Sequence, residues 1–226
     1  MAARHGMTGA TGNIYTGLHE FADMAFTLHF LRRGDLFLDI GANIGNVARQ
    51  FSSSFPTANI YCFEPVAETF KLLCAATTNQ SNISCFHVGV GDVTKEAYIS
   101  LEQEPERNHI VNGASPANRR TEKINMITID EFCEAHRIER VNIIKTDTEG
   151  YDLRVLKGAQ SMLRGGVQFV LSEVGMAQWD TRYSYFHAIN NFLAKLSFQL
   201  CGFYDMHYRA DGTVEYANAL FLRSLD

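Results

Sequence analysis

Leu36-Phe37-Leu38-Asp39-Ile40-Gly41-Ala42-Asn43-Ile44-Gly45 is the stretch that decides how this chain folds. A short apolar run enters a turn bounded by two glycines, and Val47 to Phe51 continues with a pattern that can be helical until Pro56 stops it. That is strand, turn, helix. The unit recurs in Ile60 to Glu64, followed by a helical pattern near Ala67 to Ala76, and again in Ile83 to Val88 without an immediate helix. Val141 to Lys145 and Val167 to Leu171 add two buried-type strands, each bordered by helical pattern. Strands alternating with helices predict a mostly parallel sheet covered on both faces and joined by right-handed crossovers.

Outward from that core the pattern changes. Upstream, Phe21, Met24, Ala25, Leu28 and Leu31 recur at helical spacing and predict an amphipathic helix ending near Arg32-Arg33-Gly34. Residues 102–123 are polar, carry Pro105, Gly113 and Pro116, and are too long for an ordinary connection, which suits a functional loop or lid. Near the C-terminus, Phe198 to Tyr204, Asp211-Gly212 and Glu215 to Leu222 form the pattern of a hairpin that closes the sheet with antiparallel strands. We read residues 1–226 as one domain, with an N-terminal segment and helix over 1–33 and the α/β core over 34–226.

Composition narrows the function. The chain has 226 residues, 46% of them apolar, enough for one continuous core. A net charge of -5 with interspersed signs gives no electrostatic reason to expect nucleic acid or an anionic membrane, so a small-molecule partner fits better. The five cysteines lack zinc spacing and read as reduced core residues. No basic-then-apolar leader and no apolar run of membrane length is visible, which predicts a cytoplasmic location. Oligomeric state is not legible.

The glycine turn is where an open α/β sheet binds ligands. Its G-x-x-x-G spacing lacks the middle glycine that lets a dinucleotide pyrophosphate approach the backbone. Asp39 would repel a phosphate and attract a cationic amine or sulfonium. S-adenosylmethionine carries both cations and no phosphate. Glu64 ends the second strand about 20 residues after the glycines, where an acid can accept ribose hydroxyls, a role shared with nicotinamide cofactors. The glycines also suit tight strand-to-helix packing, and Glu64 before Pro65 also suits a solvated strand end.

Together with Tyr15-Thr16-Gly17-Leu18-His19-Glu20, Phe63-Glu64-Pro65, Gly91-Asp92, the block Ile144 to Ala159 (IKTDTEGYDLRVLKGA) and Asn218-Ala219-Leu220-Phe221, the glycine turn resembles the FkbM family of methyltransferases. The resemblance implies a class I methyltransferase, Rossmann-like three-layer fold with a seven-stranded sheet and an antiparallel C-terminal hairpin. It also implies O-methylation of hydroxyls on sugars, polyketides or other natural products with S-adenosyl-L-methionine. Cofactor contacts then fall on Tyr15, Asp39, Gly41, Ala42, Asn43, Gly45, Asn46, Glu64, Pro65, Asp92 and Asp147.

Methyl transfer to a hydroxyl needs collinear, dry positioning and a base. Asp147 and Glu149 end the fourth strand and Glu173 the fifth, on one rim; we take Asp147 and Glu173 as catalytic. The competing reading makes Asp147 a helix cap and Glu149 a partner of the helix dipole. Clustered carboxylates also suit Mg2+, although no spacing requires it. His187 is a base candidate or a plain helix-face residue. Trp179, Tyr183, Tyr185 and Phe186 either line an acceptor pocket or pack in the core. Arg119 and Arg120 either hold an acidic substrate or are solvated. The rival readings are an NAD-dependent oxidoreductase and a non-catalytic S-adenosylmethionine-binding protein.

Overall fold

The computed structural model describes residues 34–102, 108–111 and 120–224. The helix expected over Phe21 to Leu31, like Tyr15 and Arg119, lies outside them. Strands β1 (Leu36–Ile40), β2 (Asn59–Phe63), β3 (Ile83–Phe86), β8 (Val141–Thr146), β9 (Val167–Gly175), β10 (Phe198–Tyr208) and β11 (Val214–Arg223) form a seven-stranded sheet in the order β10-β11-β9-β8-β1-β2-β3. Its centre is parallel, and β11 pairs antiparallel with both β9 and β10. This is the three-layer Rossmann-like arrangement expected of class I methyltransferases.

Two helical layers follow from strand alternation. Leu38, Ile40, Val141, Ile144, Val170 and Val174 pack with helices α3 (Ile129–His136), α4 (Asp152–Lys157), α5 (Gln160–Gly165) and α6 (Phe186–Ala194). Phe37, Ile60, Cys62, Ile143, Phe169 and Leu171 pack with α1 (Asn46–Ser54) and α2 (Ala67–Thr77). The Phe37 and Phe51 rings stack with centroids 4.2 Å apart. The β1–β8 seam is also tied at its start, where the Leu36 amide donates to Asn142 Oδ1 at 3.0 Å across 106 residues of chain. The five cysteines are free thiols.

A second, four-stranded sheet was not anticipated. It runs β4-β7-β5-β6, built from Gly89–Val90, Lys95–Ser100 (β5), Ile110–Val111 (β6) and Thr121–Ile127 (β7). Part of the polar 102–123 stretch is therefore strand. Its sequence hides this because β5 and β7 bury one face only: Ala97, Ile99, Ile124 and Met126 are inside, while Glu96, Lys123 and Asn125 on the other face are exposed. Among the described residues no helix is long and apolar enough to cross a membrane.

Candidate active site

The strand order reverses between β1 and β8, because the chain moves outward from β1 to β3 and returns to β8 on the other side. A cavity of about 330 Å³ opens there. Gly41, Glu64, Asp147 and Glu173 contribute from the ends of β1, β2, β8 and β9; Val66, Gly89, Ile99 and Met126 close one side and Asp205, His207, Tyr216 and Asn218 the other.

Gly41 has a positive φ of 78°, and a Cβ there would stand 2.0 Å from the Asp147 carbonyl oxygen. Glycine is thus required by the close approach of the β1 turn to the end of β8, where the Asp147 amide donates to the Ile40 carbonyl at 3.1 Å. The turn then presents the Asn43 amide to Glu64 Oε2 at 3.1 Å, while Glu64 Oε1 accepts from the Val66 amide at 2.9 Å. Each oxygen keeps a second lone pair for a ligand. Burial pushes the Glu64 carboxyl up to about 7, against the two amide hydrogen bonds that pull it down.

Lys145 organises the acids. Its ammonium, on a side chain only 5% exposed, lies 3.2 Å from Asp147 Oδ2 and 3.5 Å from Asp39 Oδ1. Asp39 is fully buried and raised by that burial, with Lys145 opposing the shift. Asp152, not Asp147, holds the following turn: its Oδ1 accepts from the Thr148 amide and hydroxyl at 3.1 and 3.0 Å. Burial, with Asp147 adding to it, lifts Asp152 to about 6. Glu173 is raised well above the ordinary carboxylate range by burial and then by Asp147, Asp152 and Glu149, which favours its protonated form. Its Oε2 is shut from solvent and has no hydrogen-bond partner.

Residues 39–203 match the methyltransferase FkbM domain. This chain belongs to the FkbM methyltransferase family. It is 31% identical over 140 residues to the hexuronic acid methyltransferase AglP of Haloferax volcanii, a match covering 62% of this chain and 56% of that protein. It is 26% identical over 147 residues to the 2-O-methyltransferase NoeI of Sinorhizobium fredii, covering 57% and 58% respectively. The match thus spans little more than half the length of either relative. Among solved structures, an rRNA methylase from Streptococcus thermophilus superposes with a TM-score of 0.52 at 10% identity, covering 95% of this chain and all of that one. The fibrillarin pre-rRNA processing protein of Methanococcus jannaschii gives 0.51 at 11%, covering 86% and 69%. At such identities the likeness is one of fold.

Of the residues singled out from sequence, Gly41, Asn43, Glu64, Pro65, Asp147 and Glu173 line the FkbM cavity. Asp39, Ala42, Gly45, Asn46 and Asp92 are not on its wall. Asp39 sits behind it against Lys145. Gly45 serves helix packing, since a Cβ there would meet Leu73 Cδ1 at 2.8 Å, and Asp92 Oδ2 pairs with Arg154 at 3.0 Å. His187 is an exposed residue of α6 beside Tyr185 and Phe186, away from the cavity. Trp179 is 74% exposed with Arg209 over its ring, and Tyr183 stacks on Tyr216. Among the described residues no group of three or more His, Cys, Asp and Glu side chains could hold a metal ion, and the Lys145 ammonium already stands between Asp39 and Asp147. Of the hairpin wall, Asp205, His207 and Tyr216 were missed, and Asn218 was noted only as part of the closing family block.

Proposed function

We propose that this chain transfers the methyl group of S-adenosylmethionine to a hydroxyl oxygen of a small molecule, a sugar or polyketide-type natural product. One observation carries the reading: Glu64, Asp147, Glu149, Glu173 and Asp205 line the cavity, and no lysine or arginine does so among the described residues. Such a lining attracts an ammonium and a sulfonium and opposes a pyrophosphate. The family and the relatives named for hexuronic acid methylation and 2-O-methylation support the same reading.

The residues present fit this cofactor. Glu64, at the end of β2 with one lone pair free on each oxygen, is the acceptor for ribose hydroxyls. The Asp147 carboxylate, 38% exposed on its side chain, faces the cation-binding part of the cavity. When bound, S-adenosylmethionine supplies an electrophilic methyl on a good leaving group. The chain's own task is to hold the acceptor oxygen in line with it and exclude water. Glu173, biased by burial toward its protonated form, can in that form donate a hydrogen bond that orients the acceptor. Its Asn218 neighbour on β11 stands directly opposite and lines the same wall.

Calorimetry is the first test. S-adenosylmethionine and its demethylated product are expected to bind, and NAD to give no signal. Tight NAD binding without S-adenosylmethionine binding would overturn the assignment in favour of an oxidoreductase. Turnover with labelled cofactor on methyl glucoside, glucuronic acid and a hydroxylated macrolactone then tests the acceptor class, with chelator and added Mg2+ as paired arms. Cofactor binding without transfer to any hydroxyl supports the non-catalytic alternative. Separately, Glu64→Ala is expected to weaken S-adenosylmethionine binding by about 1.5–3 kcal/mol, the usual worth of hydrogen bonds to a charged group. Unchanged affinity in a folded variant would show that Glu64 serves only the Asn43 and Val66 amides.

A further inference from the structure

The register of the C-terminal hairpin contains an irregularity at the cavity. Between Tyr204↔Asn218 and His207↔Tyr216, β10 advances three residues while β11 advances two, and Asp205 within that step has a positive φ of 48°. One extra residue on β10 is a β-bulge. Side chains directly opposite in an antiparallel pair share a face. Tyr204 therefore shares a face with Asn218, and regular alternation would send His207 to the other side of the sheet. The extra residue turns it back, onto the face of Tyr216, Asn218 and Glu173. All four line the cavity.

What the bulge delivers is an oriented imidazole. The His207 ring stacks on Tyr216 with centroids 4.2 Å apart and planes 10° from parallel, which fixes its plane. Asp205 Oδ1 lies 3.7 Å from His207 Nε2. At that distance the carboxylate acts on the ring electrostatically and not through a hydrogen bond, which biases the proton toward Nε2 and the lone pair toward Nδ1. The rival bases on the rim are less free: Asp147 Oδ2 is engaged by the Lys145 ammonium at 3.2 Å, and burial and the neighbouring acids bias Glu173 toward its protonated form.

We propose that His207 is the general base that takes the acceptor hydroxyl proton, positioned by the Asp205 bulge and the Tyr216 ring. The proposal rests on the methyl-transfer reading above. In the step, the acceptor oxygen forms its bond to the methyl carbon as the carbon–sulfur bond breaks and its electron pair stays on sulfur. The hydroxyl proton passes to Nδ1 and then to solvent.

His207→Gln and His207→Ala are expected to lower kcat at least about 100-fold, the lower end of general-base assistance, with S-adenosylmethionine affinity within about twofold of the parent. The rise of rate with pH imposed by a histidine base should disappear, and added imidazole should restore part of the Ala variant's rate. Asp205 and Tyr216 stand against the ring, and Glu64, Asp147, Glu149 and Glu173 are the other titratable groups lining the same cavity, so Asp205→Asn is measured as the positioning control, with a loss confined to kcat. Parent-like kcat in both His207 variants would overturn the proposal. If the parent binds S-adenosylmethionine but methylates none of the three acceptor probes, the acceptor class fails and the ring is read directly by nitrogen NMR of the full chain. An Nε2–H tautomer that is lost in Asp205→Asn supports the base, and an Nδ1–H tautomer overturns it.

Discussion

Gly41→Ala is expected to lower stability by about 2–6 kcal/mol and to abolish measurable S-adenosylmethionine binding. Two costs add. A non-glycine residue held at φ 78° costs about 1–3 kcal/mol, and overpacking a closed site costs about as much again. The obstruction is backbone, since the new Cβ would lie 2.0 Å from the Asp147 carbonyl oxygen, so no rotamer change relieves it. The β1 turn and the end of β8 must separate, and with them the Asn43 amide from Glu64. Gly45→Ala is the informative comparison, because its Cβ meets the ends of the Leu73 and Thr77 side chains, which can shift. Urea denaturation of both variants checks this. A parent-like midpoint for Gly41→Ala would show that the turn opens without cost.

The second large effect is a loss of stability as pH rises. Glu64 titrates at about 7 in the folded chain against an ordinary 4.5, and Asp152 at about 6 against 3.8. Raised carboxyls mean that the native state holds protons the unfolded chain has released. Their stabilisation is therefore complete below about pH 4 and is lost as pH climbs through 6 and 7. At 1.36 kcal/mol per pH unit the loss reaches about 3 kcal/mol for each group. Glu173 and Asp39 are raised too and act in the same direction. Asp180 and Asp211 are lowered by hydrogen bonds from Arg182 and from Thr213, and they work oppositely but only below about pH 4. Denaturation midpoints without ligand should fall from pH 5 to pH 8, and Glu64→Gln or Asp152→Asn should each flatten the fall. A midpoint constant or rising over that range would mean that water reaches these acids.

The sequence displays what depends on local pattern. Leu36 to Gly45 declares a strand and a glycine turn, and the alternation of such units is enough to deduce a parallel core and an antiparallel closing hairpin. The rim acids Glu64 and Asp147 were legible for the same reason, since each follows directly on a strand, whereas β9 runs on past Glu173 to Gly175. Three things were not. Lys145 sits in an apolar run, and only the β1–β8 register places its ammonium against Asp39 and Asp147. Part of the small sheet looked like a polar loop because Glu96, Lys123 and Asn125 occupy its solvent face. His207 was invisible because one inserted residue on β10 reverses its side, and His187 was preferred through nearness in sequence to aromatic residues.

The order in which the strands pair also governs when the chain can bind anything. As synthesis proceeds, β1, β2 and β3 can associate early, but β1 keeps an open edge until Val141–Thr146 has been made, 106 residues after Leu36 as the Leu36–Asn142 bond counts it. Non-local parallel pairings of this kind are closed late, since the entropy of the intervening loop must be met before contacts repay it. The Gly41 turn has no Asp147 carbonyl to rest on until then. An emerging chain therefore has no cavity to offer, and a truncation ahead of β8 leaves an unpaired apolar strand, a template for aggregation rather than a smaller enzyme.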